Sequence, residues 1–233
     1  MSDLLKEIDE AVRRDKAEKF WKENGVYFLG GAVALVLFTG IFTAWNGWKL
    51  KHNTAQTNLL VQALSTPFPA TALDAASGAL TGGHKAVARL HQAGALLQDE
   101  KTEEALAVLQ HLRADSSTPA VWRDLATVME VRLSFNDSTD AAQAKKLYDS
   151  LKPVLAAKNP WQAPAQLQAA LIAADGMGDY NGALKHLAVI LKDPASPASL
   201  QERARALDHL YGLKAARKKS DAKTGDTTPE PKG

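Results

Sequence analysis

The sequence predicts an all-α chain: a single transmembrane helix followed by an α-solenoid of helix pairs. Three observations carry this. Val26 to Trp45 is a run of twenty residues without a charge. A pattern of small and apolar residues recurs every 39 residues through the second half of the chain. No stretch alternates apolar and polar residues at the period of two that a half-buried strand requires.

The uncharged run reads VYFLGGAVALVLFTGIFTAW. At about 1.5 Å per residue it forms a helix roughly 30 Å long, the thickness of a bilayer's hydrocarbon core. Trp21 and Tyr27 stand at one end, Trp45 and Trp48 at the other, where amphipathic rings favour the headgroup level. A soluble core helix rarely runs this far without a polar face. A cleaved signal peptide would have a shorter apolar region and a small-residue cleavage site. Here twenty-five residues rich in both charges precede the run and bulky tryptophans follow it, so an uncleaved anchor over 26–48 is expected. Arg13, Arg14, Lys16, Lys19 and Lys22 flank its N-terminal side, and only Lys49 and Lys51 its C-terminal side. The richer flank stays in the cytoplasm. Residues 1–25 are therefore expected in the cytoplasm of a bacterium, and the remainder in the periplasm. Gly30 with Ala34, and Gly40 with Ala44, form small-xxx-small pairs that allow close helix approach in lipid.

Residues 3–21 form an amphipathic pattern, with Leu5, Ile8 and Val12 at helical spacing and Ser2 able to cap the start. A solvated juxtamembrane helix and a docking helix for a membrane partner both fit this segment.

After the anchor the repeat dominates. Ala105, Leu109 and Leu112 are followed 39 residues later by Ala144, Tyr148 and Leu151, and 39 later again by Ala183, Leu187 and Ile190. The small residue admits a neighbouring helix and the larger two complete a buried stripe. The lead-ins EKTEEAL, TDAAQAK and GDYNGAL each place a turn before the helix. Partner helices precede them, marked by Ala86, Leu90, Ala93 and Leu97, by Val121, Leu125, Ala126 and Val128, and by Leu167, Leu171 and Ala174. A further helix carries Leu200, Ala204, Leu207 and Tyr211, and residues 53–64 and 70–80 suggest an earlier, less regular pair. Thr118-Pro119 and Asn159-Pro160 read as capping residues with proline in the first helical turn, and Ser196-Pro197 begins the further helix. Gly176-Met177-Gly178 reads as a left-handed break. Helix pairs at a fixed period stack to bury stripes that no pair buries alone. An irregular helical bundle is the alternative. The helical body is expected over 49–213.

Charge and composition narrow the function. The whole chain carries +2, with 28 Lys+Arg against 26 Asp+Glu, and so lacks the basic face of a nucleic-acid binder. Residues 53–213 hold 14 basic against 16 acidic residues, and 214–233 hold six against three. That last segment has no apolar periodicity and is expected to be a disordered tail. With no cysteine, there is no disulfide and no thiolate metal site. The six histidines form no metal-ligand spacing and the glycines at 78, 82 and 83 do not end as a phosphate loop does. Arg123, Arg132 and Trp161 could line a groove, but a surface ion pair and a core aromatic are the expected reading of them. No enzyme, cofactor or small-molecule substrate is expected. The expected partners are proteins and the lipid bilayer.

The motif of a small residue, then an aromatic or Leu, then Leu, after a GDY-type turn resembles a degenerate tetratricopeptide repeat. Its period departs from that family's, and the first-helix Trp, Leu and Gly of that family are not in place. The full layout resembles the ancillary Sec-translocon subunit family (YfgM-like), particularly its alphaproteobacterial branch. The stretches EIDEAVRRDKAEKFWKENG, TPAVWRDLATV, NPWQAPAQLQAAL and ASLQERARALDHL carry the likeness, over roughly residues 3–213. The resemblance implies a membrane-anchored periplasmic scaffold at the Sec translocon, linking exported polypeptides to periplasmic chaperones. It implies no fixed set of functional side chains. The alternative is an accessory subunit of another inner-membrane complex, a respiratory or cell-division assembly, held through the anchor and residues 3–21.

Overall fold

The computed structural model describes residues 35, 37–136 and 139–224. The segment 1–25 expected in the cytoplasm, the first part of the expected anchor with Gly30 and Ala34, and residues 225–233 lie outside the described residues. All regular elements among the described residues are helices. The first, α1, covers 37–64 without a break. It is followed by α2 (Pro69–Ser77), α3 (Gly82–Gln98), α4 (Thr102–Ala114), α5 (Ala120–Ser134), α6 (Ala141–Ala156), α7 (Gln162–Leu171), α8 (Tyr180–Lys192) and α9 (Ala198–Thr224).

The chain divides into two compact units at Ala55/Gln56, within α1. In the first, Leu35, Leu37, Phe38, Ile41, Phe42, Trp45, Trp48 and Leu50 are each 57–70% exposed. Phe38 stacks on Phe42 with ring centroids 6.2 Å apart, and Trp45 meets Trp48 at 5.8 Å. Thr39 and Thr54 return their hydroxyls to the carbonyls of Leu35 and Leu50. Among the described residues no helix is long and apolar enough to cross a membrane.

The second unit, from Gln56, holds a core in four successive clusters. Leu60, Ala63, Leu73, Leu80 and Ala88 form the first, joining 56–64, α2 and α3. The second joins α3, α4 and α5 through residues including Ala93, Leu109 and Ala126. The third joins α5, α6 and α7 through Val131, Leu151 and Ala169. The fourth joins α7, α8 and α9 through Ala170, Leu187 and Ala204. From α2 on, each helix touches the next, and α3 also touches α5, α5 touches α7, and α7 touches α9. Helices α3, α5 and α7 therefore feed two clusters each, whereas α4, α6 and α8 feed one. The difference shows in composition: α7 buries Ala165, Ala169 and Ala170 beside Gln166, Leu167 and Gln168. Alanine permits close approach on more than one face.

The helix starts recur with the sequence. α4, α6 and α8 begin at Thr102, Ala141 and Tyr180, each 39 residues after the last. Asp140 and Asp179, again one period apart, cap α6 and α8. Each carboxylate accepts from the backbone N–H three residues on, Gln143 at 2.7 Å and Gly182 at 2.9 Å. A second recurrence appears at twice the period. Asp115 and Asp193 each accept from the N–H two residues on, that of Ser117 and of Ala195, both at 2.9 Å. Their carbonyls take the N–H of Thr118 and Ser196. Pro119 and Pro197 follow, and α5 and α9 then begin one residue later, at Ala120 and Ala198. Proline was expected in the first helical turn. At α5 it is instead the residue before the helix, with φ −56° and ψ 141°, and the turn is closed by Asp115. The Thr118 hydroxyl makes no cap; it is buried without a hydrogen-bond partner. Asn159 likewise sits in the lead-in to α7, accepting from the Trp161 N–H.

Two corners depend on backbone conformation. Between α3 and α4 the Lys101 N–H reaches back to the Leu96 carbonyl at 2.8 Å, which places Glu100 at φ 61°. After α7 the chain widens into a π-helical turn, Ile172–Gly176, and Gly178 takes φ 64°. At Gly176 a Cβ would stand 2.7 Å from that of Ala144 and 2.9 Å from the Phe135 ring, so this glycine admits α6 and the end of α5.

α9 departs from expectation at its far end. The tail expected to be disordered from residue 214 is helical to Thr224. Lys218 donates to the Gly178 carbonyl at 2.9 Å, and Lys214 lies 3.6 Å from Asp175 and over the rings of Tyr180 and Tyr211. Ala, Arg and Lys are strong helix formers, and an exposed helix needs no apolar stripe to continue.

Two substitutions test these corners in urea unfolding. Glu100→Gly relieves the left-handed strain and is expected to raise stability by about 1 kcal/mol. Gly176→Ala is expected to lower it by roughly 1–3 kcal/mol, because the added methyl has no room.

Candidate functional site

Polar side chains converge in a groove formed by α2, α3 and α4. Two adjoining cavities of about 550 and 820 Å³ share Asp74, Ala107 and Val108. α3 contributes Lys85, Arg89, Gln92 and Leu96, which lie on one face at helical spacing. α4 contributes Glu104, Ala107, Val108 and His111, and the lead-in to α2 contributes Pro67 and Phe68, the latter 78% exposed.

The charges in the groove are held by one another. Arg89 donates to Asp74 at 2.7 Å and to the Gln92 amide oxygen at 2.8 Å, while the Gln92 amide donates to Asp74 at 3.2 Å. The Arg89 hydrogen bond, with that of Gln92, holds the Asp74 carboxyl below its ordinary range. Lys85 donates to Asp115 at 2.7 Å, and Ser117 donates to the other oxygen from its hydroxyl at 2.6 Å. Those bonds, Lys85 first, hold Asp115 well below the usual carboxylate value. Both carboxylates are ionised at neutral pH and have no proton to give. What this groove offers is fixed charge, an amide and an apolar rim.

A second network ties three helices together. The Tyr148 hydroxyl lies 2.7 Å from His186 Nε2, and His186 Nδ1 lies 2.6 Å from the Gln166 amide oxygen. That oxygen only accepts, so Nδ1 carries the proton and Nε2 accepts from Tyr148. Burial lowers the His186 pKa, against a smaller opposing effect of Asp179. A third network closes α7 on α9, where Tyr211 donates to Asp175 at 2.7 Å. Burial first, then that bond, pushes the Tyr211 phenol far above its ordinary value.

The repeat residues lie in the helix interfaces. Ala105, Leu109, Leu112, Ala144, Leu151, Ala183, Leu187 and Ile190 are buried, and Tyr148 is half-buried. None of them belongs to the groove except Leu112, at its inner edge. Gly40 and Ala44 lie on α1 beside a shallow surface depression shared with Leu35, Thr39 and Thr43. Trp161 packs into the third cluster, Arg123 is half-buried on α5 and Arg132 is exposed, so sequence order alone did not make them a groove. Among the described residues no three His, Asp or Glu side chains are grouped to hold a metal ion. Sequence reasoning missed the groove: its ion pairs join residues 15 and 30 apart, and the one local signal was Arg89 and Gln92 three apart on α3. No family model, no curated protein and no solved structure matches the chain.

His186 yields a pH prediction. The unfolded ring titrates near 6.5 and the folded ring lower, so the unfolded chain binds more protons between the two values. The stabilisation is complete above 6.5 and is lost as pH falls through the folded value. Urea midpoints should therefore drop between about pH 7.5 and about pH 5.5, and His186→Phe should flatten that drop.

Proposed function

We propose that this chain is a membrane-anchored scaffold for protein–protein interactions, an ancillary subunit of the YfgM-like kind at the bacterial Sec translocon. The observation that carries the reading is the set of eight large apolar side chains exposed from Leu35 to Leu50. Leaving such side chains in water rather than burying them forfeits about 1.5–3 kcal/mol apiece when fully exposed. A bilayer removes that cost. The stacked aromatics and the hydroxyls of Thr39 and Thr54, satisfied within their own helix, suit a low-dielectric surrounding as well. The uncharged run 26–45 supplies the length of a span, and the Lys and Arg asymmetry around it puts the helical unit in the periplasm.

The helical unit fits the second half of the reading. Pairs in sequence, with α3 touching α5, α5 touching α7 and α7 touching α9, suit an α-solenoid of degenerate tetratricopeptide-like pairs, an architecture that presents long surfaces to other polypeptides. The groove between α2 and α4 is a surface of that kind. An accessory subunit of a respiratory or cell-division complex would use the same exposed α1 side chains but not the groove.

Two measurements test the reading. The full chain should stay with membranes through alkaline carbonate extraction; release into the supernatant would sink the anchor. Co-purification in mild detergent should enrich translocon components, periplasmic chaperones or exported polypeptides over a control carrying only residues 1–55. Equal recovery by that control would instead assign the association to the anchor and favour the accessory-subunit reading.

A further inference from the structure

We propose that the outward face of α9 pairs, antiparallel, with the same face of a second copy of this chain. The proposal does not depend on the anchor or on the translocon reading.

α9 differs from the helices it stacks with. α3, α5 and α7 each have clusters on two sides, but α9 contributes only to the last. Its inward face carries Ala204 and Tyr211, both buried, with Leu200 and Leu207 packed beside them. At about 100° per residue, Glu202, Ala206, Leu210, Leu213 and Arg217 fall on the opposite face, in steps of three and four. All five are exposed, and the two leucines are 44% and 60% exposed.

The order of residues on this face selects the partner. An acid stands at the N-terminal end, a base at the C-terminal end, and small and apolar residues lie between. Placing a two-fold axis between His209 and Leu210 sets Glu202 against Arg217 of the second copy and Ala206 against its Leu213. Both matches occur twice, as an isologous contact requires. A parallel pair would instead set Glu202 on Glu202 and Arg217 on Arg217. Neither residue takes part in an ion pair among the described residues. The strip is roughly 22 Å long. One helix pair of that length buries less than the roughly 1,000 Å² of a lasting interface, so the dimer is weak and concentration-dependent. Confinement of both copies to one membrane would raise its occupancy.

The absence of native cysteine makes the test direct. Full-length His209→Cys, purified in mild detergent and oxidised, is expected to give a disulfide dimer because residue 209 lies beside the two-fold axis. Ala206→Cys is expected not to, since its two copies stand about 10 Å apart along the pair, beyond disulfide reach. Added to His209→Cys, Glu202→Arg or Arg217→Glu should each lower the dimer yield about fivefold, and both together should restore it. These positions are exposed, and circular dichroism checks that each variant keeps its helices. Equal crosslinking at 206 and 209 would mean parallel pairing and overturn the proposal. Failure of the double exchange to restore the yield would overturn it as well. A yield at 209 no higher than for Val189→Cys, exposed on α8, would assign the face to lipid or to a different protein and likewise defeat it.

Discussion

The second unit depends on a packing constraint: every other helix must be approached from two sides at once. α3, α5 and α7 each give side chains to two of the four clusters. A helix in that position cannot be amphipathic in the ordinary sense, because most of its circumference is covered. It also cannot be large all round, because the neighbouring axes would be forced apart. Alanine resolves the conflict. Ala86, Ala88, Ala93, Ala126, Ala165, Ala169, Ala170, Ala173 and Ala174 are all buried on these three helices and the turn that extends α7. Gly176 is the same solution carried to its limit, where even a methyl would collide with Ala144 and Phe135.

Polar groups then fix what alanine leaves unspecific. Small apolar side chains pack in many registers, and a buried hydrogen bond is satisfied in few. Gln56 is buried and holds the turn before α3 by accepting from the Thr81 N–H at 2.9 Å and donating to its hydroxyl. Gln166, His186 and Tyr148 do this for α6, α7 and α8, and Asp175 with Tyr211 does it for α7 and α9. In the groove the ion pairs are partly exposed, so they contribute little stability and leave charge at the surface.

The surfaces differ in what surrounds them. Eight large apolar residues from Leu35 to Leu50 are exposed, while the α2–α4 groove mixes charge with a modest apolar rim. α9 is a third case, a face that no other described helix covers.

Much of this architecture was written in the sequence, and the part that was not has a common cause. Helices repeat at a local period, so the 39-residue spacing of Ala105, Ala144 and Ala183 located α4, α6 and α8 by itself, and the lead-ins TDAAQAK and GDYNGAL marked the turns before two of them. Side chains within four residues of one another leave a pattern in a single chain. The groove does not, because Lys85 meets Asp115 and Arg89 meets Asp74 only after α2, α3 and α4 have stacked. The helical course of 214–224 was hidden for a related reason: it has no apolar stripe to read, and its lysines are held by Gly178 and Asp175, far back along the chain. The sequence by itself determined where helices form and which stripe each one buries, since those follow from neighbours along the backbone. Only the tertiary structure decided which polar groups meet and which faces stay uncovered, since those depend on helices distant in sequence coming into contact.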